Sequence, residues 1–381
     1  MRHWDLATFI FYMFIGISIV ITVYFVENYG RKHKLEKKRY NEFGYLCYIC
    51  LFSFLTFIAS FRYVNETIGG ADALVYINYF KNPQDVYIGL TSILSLRQTE
   101  PLFFIFVKII RLISSNYVVF FILYYGIIVY AYLRFISKHF DRRMNYMPLM
   151  YVVLPFLNSF NTMRSAMAMA ITLLAFVSMT DGKEKKAIFL CIIAAGFHFT
   201  SLIVLVFIVF YKIINSKMIN SKKWAIYILI ATYAFFYFGS SIISSIIGST
   251  KYHIYLGQNN SIIGQLIIII CGILSIIYFN PIKKIIKRDF LLWAVIFNVM
   301  MIPLMVKFGF FRLNNYFVFP RLLIWSYIIK ILNNKFKTIS ERFPGIIDII
   351  AFFITIAWTA FRISKDWYPE GVMPYFNILY K

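Results

Sequence analysis

Acidic charge is what this chain has least of. Its 381 residues carry 16 Asp and Glu against 39 Lys and Arg, and charged residues make up only 14% of the whole. So little charge beside 61% hydrophobic and 20% aromatic residues excludes a water-soluble domain, for which roughly a quarter of residues are charged. Cysteine is also scarce: Cys47, Cys50, Cys191 and Cys271 all lie inside apolar runs. That excludes a disulfide scaffold. The Cys47-x-x-Cys50 pair has no second pair and no neighbouring His to complete a metal site, so these read as buried membrane thiols. There is no P-loop, no glycine fingerprint for dinucleotides, no HExxH and no Asp-x-Asp pair, which excludes an ATP-driven pump and a nucleotide-sugar enzyme of the soluble type. No cofactor and no metal site is expected. No repeat, low-complexity tract or linker divides the chain, so residues 1–381 read as a single transmembrane domain.

What is present is a succession of long apolar runs. Stretches such as 7–26, 262–279 and 290–306 reach or approach the roughly 20 residues needed to cross the hydrocarbon. Their recurrence predicts an all-α, polytopic membrane protein with about ten spanning helices plus re-entrant or interfacial helices. The first run lacks a small-residue cleavage site before the basic stretch that follows, so a retained helix is expected rather than a cleaved signal, and nothing points to a lipid anchor. A net charge of +23 would suit nucleic acid if it lay on one soluble face. It lies instead in short loops between apolar runs, so no nucleic-acid partner is expected.

Loop charge then threads the chain through the bilayer. Segment 28–42, with Arg31, Lys32, Lys34, Lys37, Lys38 and Arg39, is placed in the cytoplasm, with the N-terminus outside. A helix near 43–61 returns to the outer face, and segment 62–116 becomes an extracytoplasmic loop with interfacial helices. Within it, 101–115 is too short to span and is interrupted by Lys108 and Arg111, which reads as interfacial or re-entrant. Spans at 117–137, 146–160 and 163–180 follow. Stretch 187–213, broken at Gly196 and His198, reads as two half-helices with His198 at the turn. Helices near 224–247, 262–279, 290–306, 316–332 and 346–361 complete the series, leaving tail 362–381 outside. The six inner loops, 28–42, 138–145, 181–186, 212–223, 280–289 and 333–343, hold 23 of the 39 Lys and Arg.

The outer charges are the informative ones, because ionisable groups at a helix end or break mark a polar site or a substrate path. Read in order they are Arg62, Asp72, Glu100, Arg164, His198 and Arg312, with Arg321 a little way into its helix. Gly69-Gly70 permit a tight turn, Asp72 follows as a helix N-cap, and Tyr76 lies one turn on. Asp72 either caps a surface helix or carries chemistry. Glu100 directly precedes Pro101, a helix-start position where the dipole alone favours a carboxylate. Arg164 opens a helix lined by Ser165, Ala166, Ala168 and Ala170, which leaves room for a phosphate to meet a guanidinium fork and free N–H groups; a headgroup-snorkelling Arg is the alternative. His198, between Phe197 and Phe199, is either a hydrogen-bonded structural residue or a functional one. Arg312 and Arg321 flank Tyr316 as further anion ligands, unless Asn315 and Tyr316 belong to the interfacial belt.

The ordered set Arg62, Gly70-x-Asp72, Tyr76, then Glu100-Pro101-Leu102-Phe103, then Asn161-x-x-Arg164-Ser165-Ala166-x-Ala168, then Phe197-His198-Phe199-x-Ser201, then Arg312 and Tyr316-Phe317 resembles the EpsG family over roughly residues 45–330. These are polysaccharide-polymerase proteins related in role to Wzy O-antigen polymerases. The chain departs from the family pattern in having Ala71 where Thr often precedes the Asp, and Ser165 where Gln often follows the Arg. The resemblance implies a GT-C-like membrane glycosyltransferase at the outer face of the bacterial cytoplasmic membrane. Its substrate would be a polyprenyl-diphosphate-linked oligosaccharide, in O-antigen, capsular or exopolysaccharide synthesis. Arg164, Arg312 and either Arg62 or Arg321 would then bind diphosphate, with Tyr76 among the binding residues. Asp72 or Glu100 would act as base, and His198 as an alternative base or donor. The partners implied are the lipid-linked substrate, membrane lipid, a flippase and chain-length regulator proteins. An O-antigen ligase would use the same donor. A flippase would instead show inverted repeats and charge at the midplane, and neither is visible.

Overall fold

Prolines stand at several of the points where the apolar runs of this protein break. A computed structural model describes residues 5–32, 37–66, 68–70, 72–82, 100–141, 144–216, 222–239, 265–286, 289–308, 310–339, 346–364, 372 and 375–378. Stretches 33–36, 83–99, 240–264 and parts of the C-terminal tail, over which several sequence expectations extend, are not among the described residues. Among these the structure is all helical, apart from one isolated antiparallel bridge between Arg62 and Asn377.

In chain order the helices are α1 (Leu6–Lys32), α2 (Lys37–Ser60), α3 (Ala73–Lys81), α4 (Pro101–Ile113), α5 (Tyr117–His139), α6 (Val153–Asn158, continuing a 3-10 turn Met147–Val152), α7 (Met163–Thr180), α8 (Glu184–Phe197) and α9 (Leu202–Ser216). They continue as α10 (Lys222–Phe238), α11 (Leu266–Ile277), α12 (Phe279–Ile285), α13 (Phe290–Met300), α14 (Ile302–Phe308), α15 (Val318–Ile339) and α16 (Ile346–Arg362). Helices α1, α2, α5 and α7 each contain a stretch long and apolar enough to cross a membrane, and α11 with α12, bent by 80°, make a fifth if taken together. The described residues therefore hold four to five such spans, fewer than the ten that hydropathy predicts.

Where a run expected to span is broken among the described residues, the backbone gives a cause. Proline has no N–H to offer the carbonyl four residues earlier, and its ring crowds that carbonyl. Pro281 stands just after the bend between α11 and α12, Pro303 just after the break between α13 and α14, and Pro155 inside the run expected at 146–160. The Val299 carbonyl, which Pro303 cannot serve, is met instead by the Tyr233 hydroxyl at 3.3 Å. An apolar window averages over such breaks.

Helix α7 is the hub: 83% of its spanning window is buried, against 39% for those of α1 and α2. Its Ser165, Ala166, Ala168, Ala170 and Ala175 are small and buried, which lets neighbouring backbones approach closely in the manner of membrane helix pairs. Helices α5 and α8 pack along it. Helices α8 and α9 form a hairpin: Glu184 at the start of α8 and Lys212 near the end of α9 make an ion pair at 2.7 Å. His198 is at its apex, in extended conformation (φ −158°, ψ 117°), as the break at 187–213 led us to expect.

Polar contacts sort the loops into two rims. At one rim Lys138 meets Asp181 at 2.5 Å, and that hydrogen bond holds Asp181 below the usual carboxylate range. At the same rim Tyr211 and Lys283 meet Asp289 at 2.8 and 3.4 Å, and Asn145 and Asn333 both meet Asp348. These pairs join the segments that loop charge groups together. At the other rim the C-terminal residues return to the start of α1 and the end of α2: Tyr12 donates to the Val372 carbonyl at 2.6 Å, and Tyr375 donates to the Ile58 carbonyl at 3.0 Å.

Arg62 fastens this second rim. It is 1% exposed, and its guanidinium donates to the carbonyls of Ala59, Gly69 and Phe160. Its carbon lies 4.6 Å from the Phe121 ring centroid, 4.9 Å from that of Tyr125 and 4.4 Å from that of Phe160. Desolvated cation–π contacts and charge-assisted hydrogen bonds of this kind stabilise a buried cation. Gly70 completes the fastening: at φ +114° it lies so close to segment 158–162 that a Cβ would stand 2.6 Å from the Phe160 carbonyl oxygen. Arg62→Ala is expected to strand three carbonyls, at about 1–3 kcal/mol for each buried group left unsatisfied. The thermal midpoint of the detergent-solubilised protein should fall clearly, and Arg62→Lys, lacking the planar fork, should restore only part of it; an unchanged midpoint for Arg62→Ala would contradict this role.

Candidate functional site

The buried carboxylate of Glu100 gathers three helices at the Arg62 rim. Glu100 occupies the N-cap position of α4 with Pro101 at the first helical position, as the sequence predicts, but its side chain makes no capping hydrogen bond. Instead Oε2 pairs with Arg164 Nη1 at 2.5 Å, and Oε1 meets Nδ1 of His198. The side chains of Glu100, His198 and Arg164 are 7%, 17% and 40% exposed. One carboxylate is therefore enclosed between a mostly buried imidazole and a guanidinium that keeps one side open.

Each partner is delivered by local structure. Arg164 is in the first turn of α7. His198 reaches Glu100 because α8 runs very close to α4: a Cβ on Gly196 would stand 2.5 Å from Leu102 Cδ1 and Cγ. Glycine at that point removes the obstacle, and the Phe106 and Phe197 rings, 6.1 Å apart, fill the space beside it. The backbone N–H of His198 donates to the Ala194 carbonyl at 2.9 Å, and its carbonyl accepts from Ser201 at 3.0 Å, so the apex is fixed from both sides.

Helix α3 covers the same cluster. Tyr76 is buried, its ring edge-on to Phe103 at 5.4 Å, and its hydroxyl is hydrogen-bonded to Arg164. Burial pushes the Tyr76 hydroxyl above the usual phenol range, against the pull of Arg164. Tyr79, three residues on, also lies within electrostatic reach of Arg164; the sequence reading did not single it out, although its i+3 spacing from Tyr76 puts it on a neighbouring face. From the other side, the 3-10 turn Phe311–Phe317 packs on the apex, where the Thr200 and Tyr316 hydroxyls are 3.0 Å apart. Arg312 is exposed on that turn and forms no ion pair with a described residue.

Two expected binding residues are placed otherwise, and Asp72 keeps its expected place ahead of Tyr76, within electrostatic reach of it. Arg62 is enclosed by carbonyls and rings, so its guanidinium faces the protein rather than an incoming anion. Arg321 is 6% exposed and donates to the side chains of Asn298 and Asn314, two partners that no sequence pattern indicates. Asp72 stands at the N-cap position of α3, exposed, without the expected capping hydrogen bond. Among the described residues no group of three His, Cys, Asp or Glu side chains is arranged to hold a metal ion.

Chemically, the cluster combines a guanidinium with spare N–H groups, an imidazole with one nitrogen engaged, and phenol hydroxyls. Groups of these kinds are chemically able to bind an anion and to move a proton. The spacing of the cluster depends on Gly196, so Gly196→Val is expected to push α8 from α4, at about 1–3 kcal/mol for an overpacked contact. A thermal midpoint equal to that of the wild type would show that the close approach carries no weight.

Comparison with known proteins follows the same residues. No curated protein and no solved structure matches the chain. The model of the EpsG family matches residues 45–377, a range that contains every member of the cluster. The chain therefore belongs to the EpsG family, proteins of the Wzy polymerase type.

Proposed function

We propose that this protein polymerises lipid-linked oligosaccharide repeat units in the bacterial cytoplasmic membrane, as a glycosyltransferase with a GT-C-like fold whose site faces outward. The glycan moves from a polyprenyl diphosphate to a hydroxyl of an acceptor sugar. The observation that carries the reading is the Glu100, Arg164 and His198 cluster, built where α4, α7 and the α8–α9 apex meet.

The chemistry asks for three things. A diphosphate leaving group gains charge as its bond to the sugar breaks, so cations placed around it lower the barrier. Arg164, held on one side by Glu100 and open on the other, and Arg312, exposed on the adjoining turn, supply that charge. The acceptor hydroxyl needs a group to take its proton, and the cluster holds both a carboxylate and an imidazole. The donor is a lipid, so the site must be reachable from the bilayer. Helix α4 begins at Glu100 and exposes Ile105, Ile109, Leu112 and Ile113 along one edge, which suits an amphipathic helix lying at the interface.

Purified protein given a short polyprenyl-diphosphate repeat unit is expected to make a ladder of chain lengths. A single transfer would mean a ligase instead, and movement of the lipid without change in glycan length a flippase. Arg164→Ala, checked for normal insertion, should lower kcat by about 10²–10³-fold, the range for loss of one preorganised donor to a developing charge. Arg312→Gln should also lower kcat, but by less, because its exposed guanidinium is less preorganised. Orientation has its own test. An impermeant maleimide should label Asn116→Cys in intact cells and Lys183→Cys only after permeabilisation; the reverse pattern would put the cluster on the cytoplasmic side.

A further inference from the structure

We propose that Nε2 of His198 is the general base for the acceptor hydroxyl and that Glu100 is its positioning residue, an assignment that rests on the polymerase reading above. A carboxylate only accepts hydrogen bonds. Glu100 Oε1 faces Nδ1 of His198, so in the neutral ring the proton resides on Nδ1 and the lone pair on Nε2. The contact thus selects the nitrogen that does the chemistry.

Glu100 is poorly placed to take the proton itself. It is 5% exposed, one oxygen lies against His198 and the other against Arg164 at 2.5 Å. Its Oε2 is fully enclosed beside Arg164 and its Oε1 lies against His198, so neither is presented to an incoming sugar hydroxyl. Asp72, the other carboxylate in contention, is exposed and stands outside the Glu100 contacts. His198 differs from both. Its backbone is held between two helices, its ring is oriented by Glu100, and its side chain remains 17% exposed.

In the step, the acceptor oxygen forms a bond to the anomeric carbon as its proton passes to Nε2. The bond from that carbon to the phosphate oxygen breaks, and its electron pair leaves with the polyprenyl diphosphate. The growing negative charge meets the free side of Arg164 and Arg312. The new imidazolium is stabilised by Glu100 and later releases its proton to water. The charged group that touches the ring is Glu100 on α4; Arg164 on α7 lies on the far oxygen of that carboxylate with Tyr76 beside it, and Tyr316 on the 3-10 turn reaches Thr200 next to the apex.

The test uses the same purified protein and donor. His198→Ala should lose about 10²–10⁴-fold in kcat, the usual contribution of a positioned base, with the donor KM within about threefold of wild type and partial recovery in added imidazole. Glu100→Gln should lose less, because the imidazole stays in place while its tautomer is no longer fixed. Nitrogen NMR of His-labelled protein should show Nδ1 protonated in the wild type and a mixed tautomer in Glu100→Gln. A chain-extending wild type whose His198→Ala variant keeps its kcat, or in which Asp72→Asn abolishes kcat while His198→Ala spares it, overturns the base assignment alone. A wild type that extends no chains removes the polymerase reading and this role together.

Discussion

A carboxylate that is 5% exposed in a mostly apolar protein cannot stay ionised without a partner, and this constraint organises the rim. Taking an unpaired ion out of water costs several kcal/mol even after relaxation, and a nearby guanidinium offsets that cost only when geometry is good. Arg164 meets Glu100 at 2.5 Å, which fixes the first turn of α7 against the start of α4. Once the carboxylate is ionised and immobile, its second oxygen dictates how His198 must present its ring. Charge neutralisation comes first and orientation follows from it.

Two glycines let the backbone satisfy that constraint. Gly70 allows the turn after α2 to lie on segment 158–162, so Arg62 can serve carbonyls from both. Gly196 allows α8 to lie on α4, so His198 can touch Glu100. Neither glycine touches a substrate. Each removes one side chain where two elements must approach more closely than a Cβ permits, and so converts distant segments of sequence into a single cluster.

Much of this was legible in the sequence, for physical reasons that can be stated. Helix existence follows from apolar length, so α1, α2, α5 and α7 fall where expected. The break at His198 follows from a glycine and a polar residue interrupting an apolar run. Grouping of the loops follows from charge, and the pairs Lys138 with Asp181 and Glu184 with Lys212 join segments that charge had placed together. The breaks between α11 and α12 and between α13 and α14 were not legible, because hydropathy averages over a window while Pro281 and Pro303 act on a single hydrogen bond. Nor could the arginines be told apart. Arg62 and Arg164 both sit at helix ends on the side that loop charge places outside. What separates them is tertiary: Arg62 finds three carbonyls and three rings, whereas Arg164 finds one carboxylate and the Tyr76 hydroxyl and keeps one side open.

That contrast explains why a chain so poor in acid retains one at the rim. If Arg164 alone were needed to bind an anion, Glu100 would weaken it by competing for the guanidinium. The pairing makes sense if the carboxylate has a second duty, because a buried pair with one further contact can hold an imidazole in a single tautomer while the guanidinium stays preorganised. Helix α4 then joins this requirement to the lipid. Its first residue adjoins the charge cluster, and its exposed edge, Ile105, Ile109, Leu112 and Ile113, has no polar solvent to prefer. A substrate with a charged head and a hydrocarbon tail needs both environments within one helix length, about 20 Å for thirteen residues. Lengthening α4 by a turn would break that match before it broke any single contact.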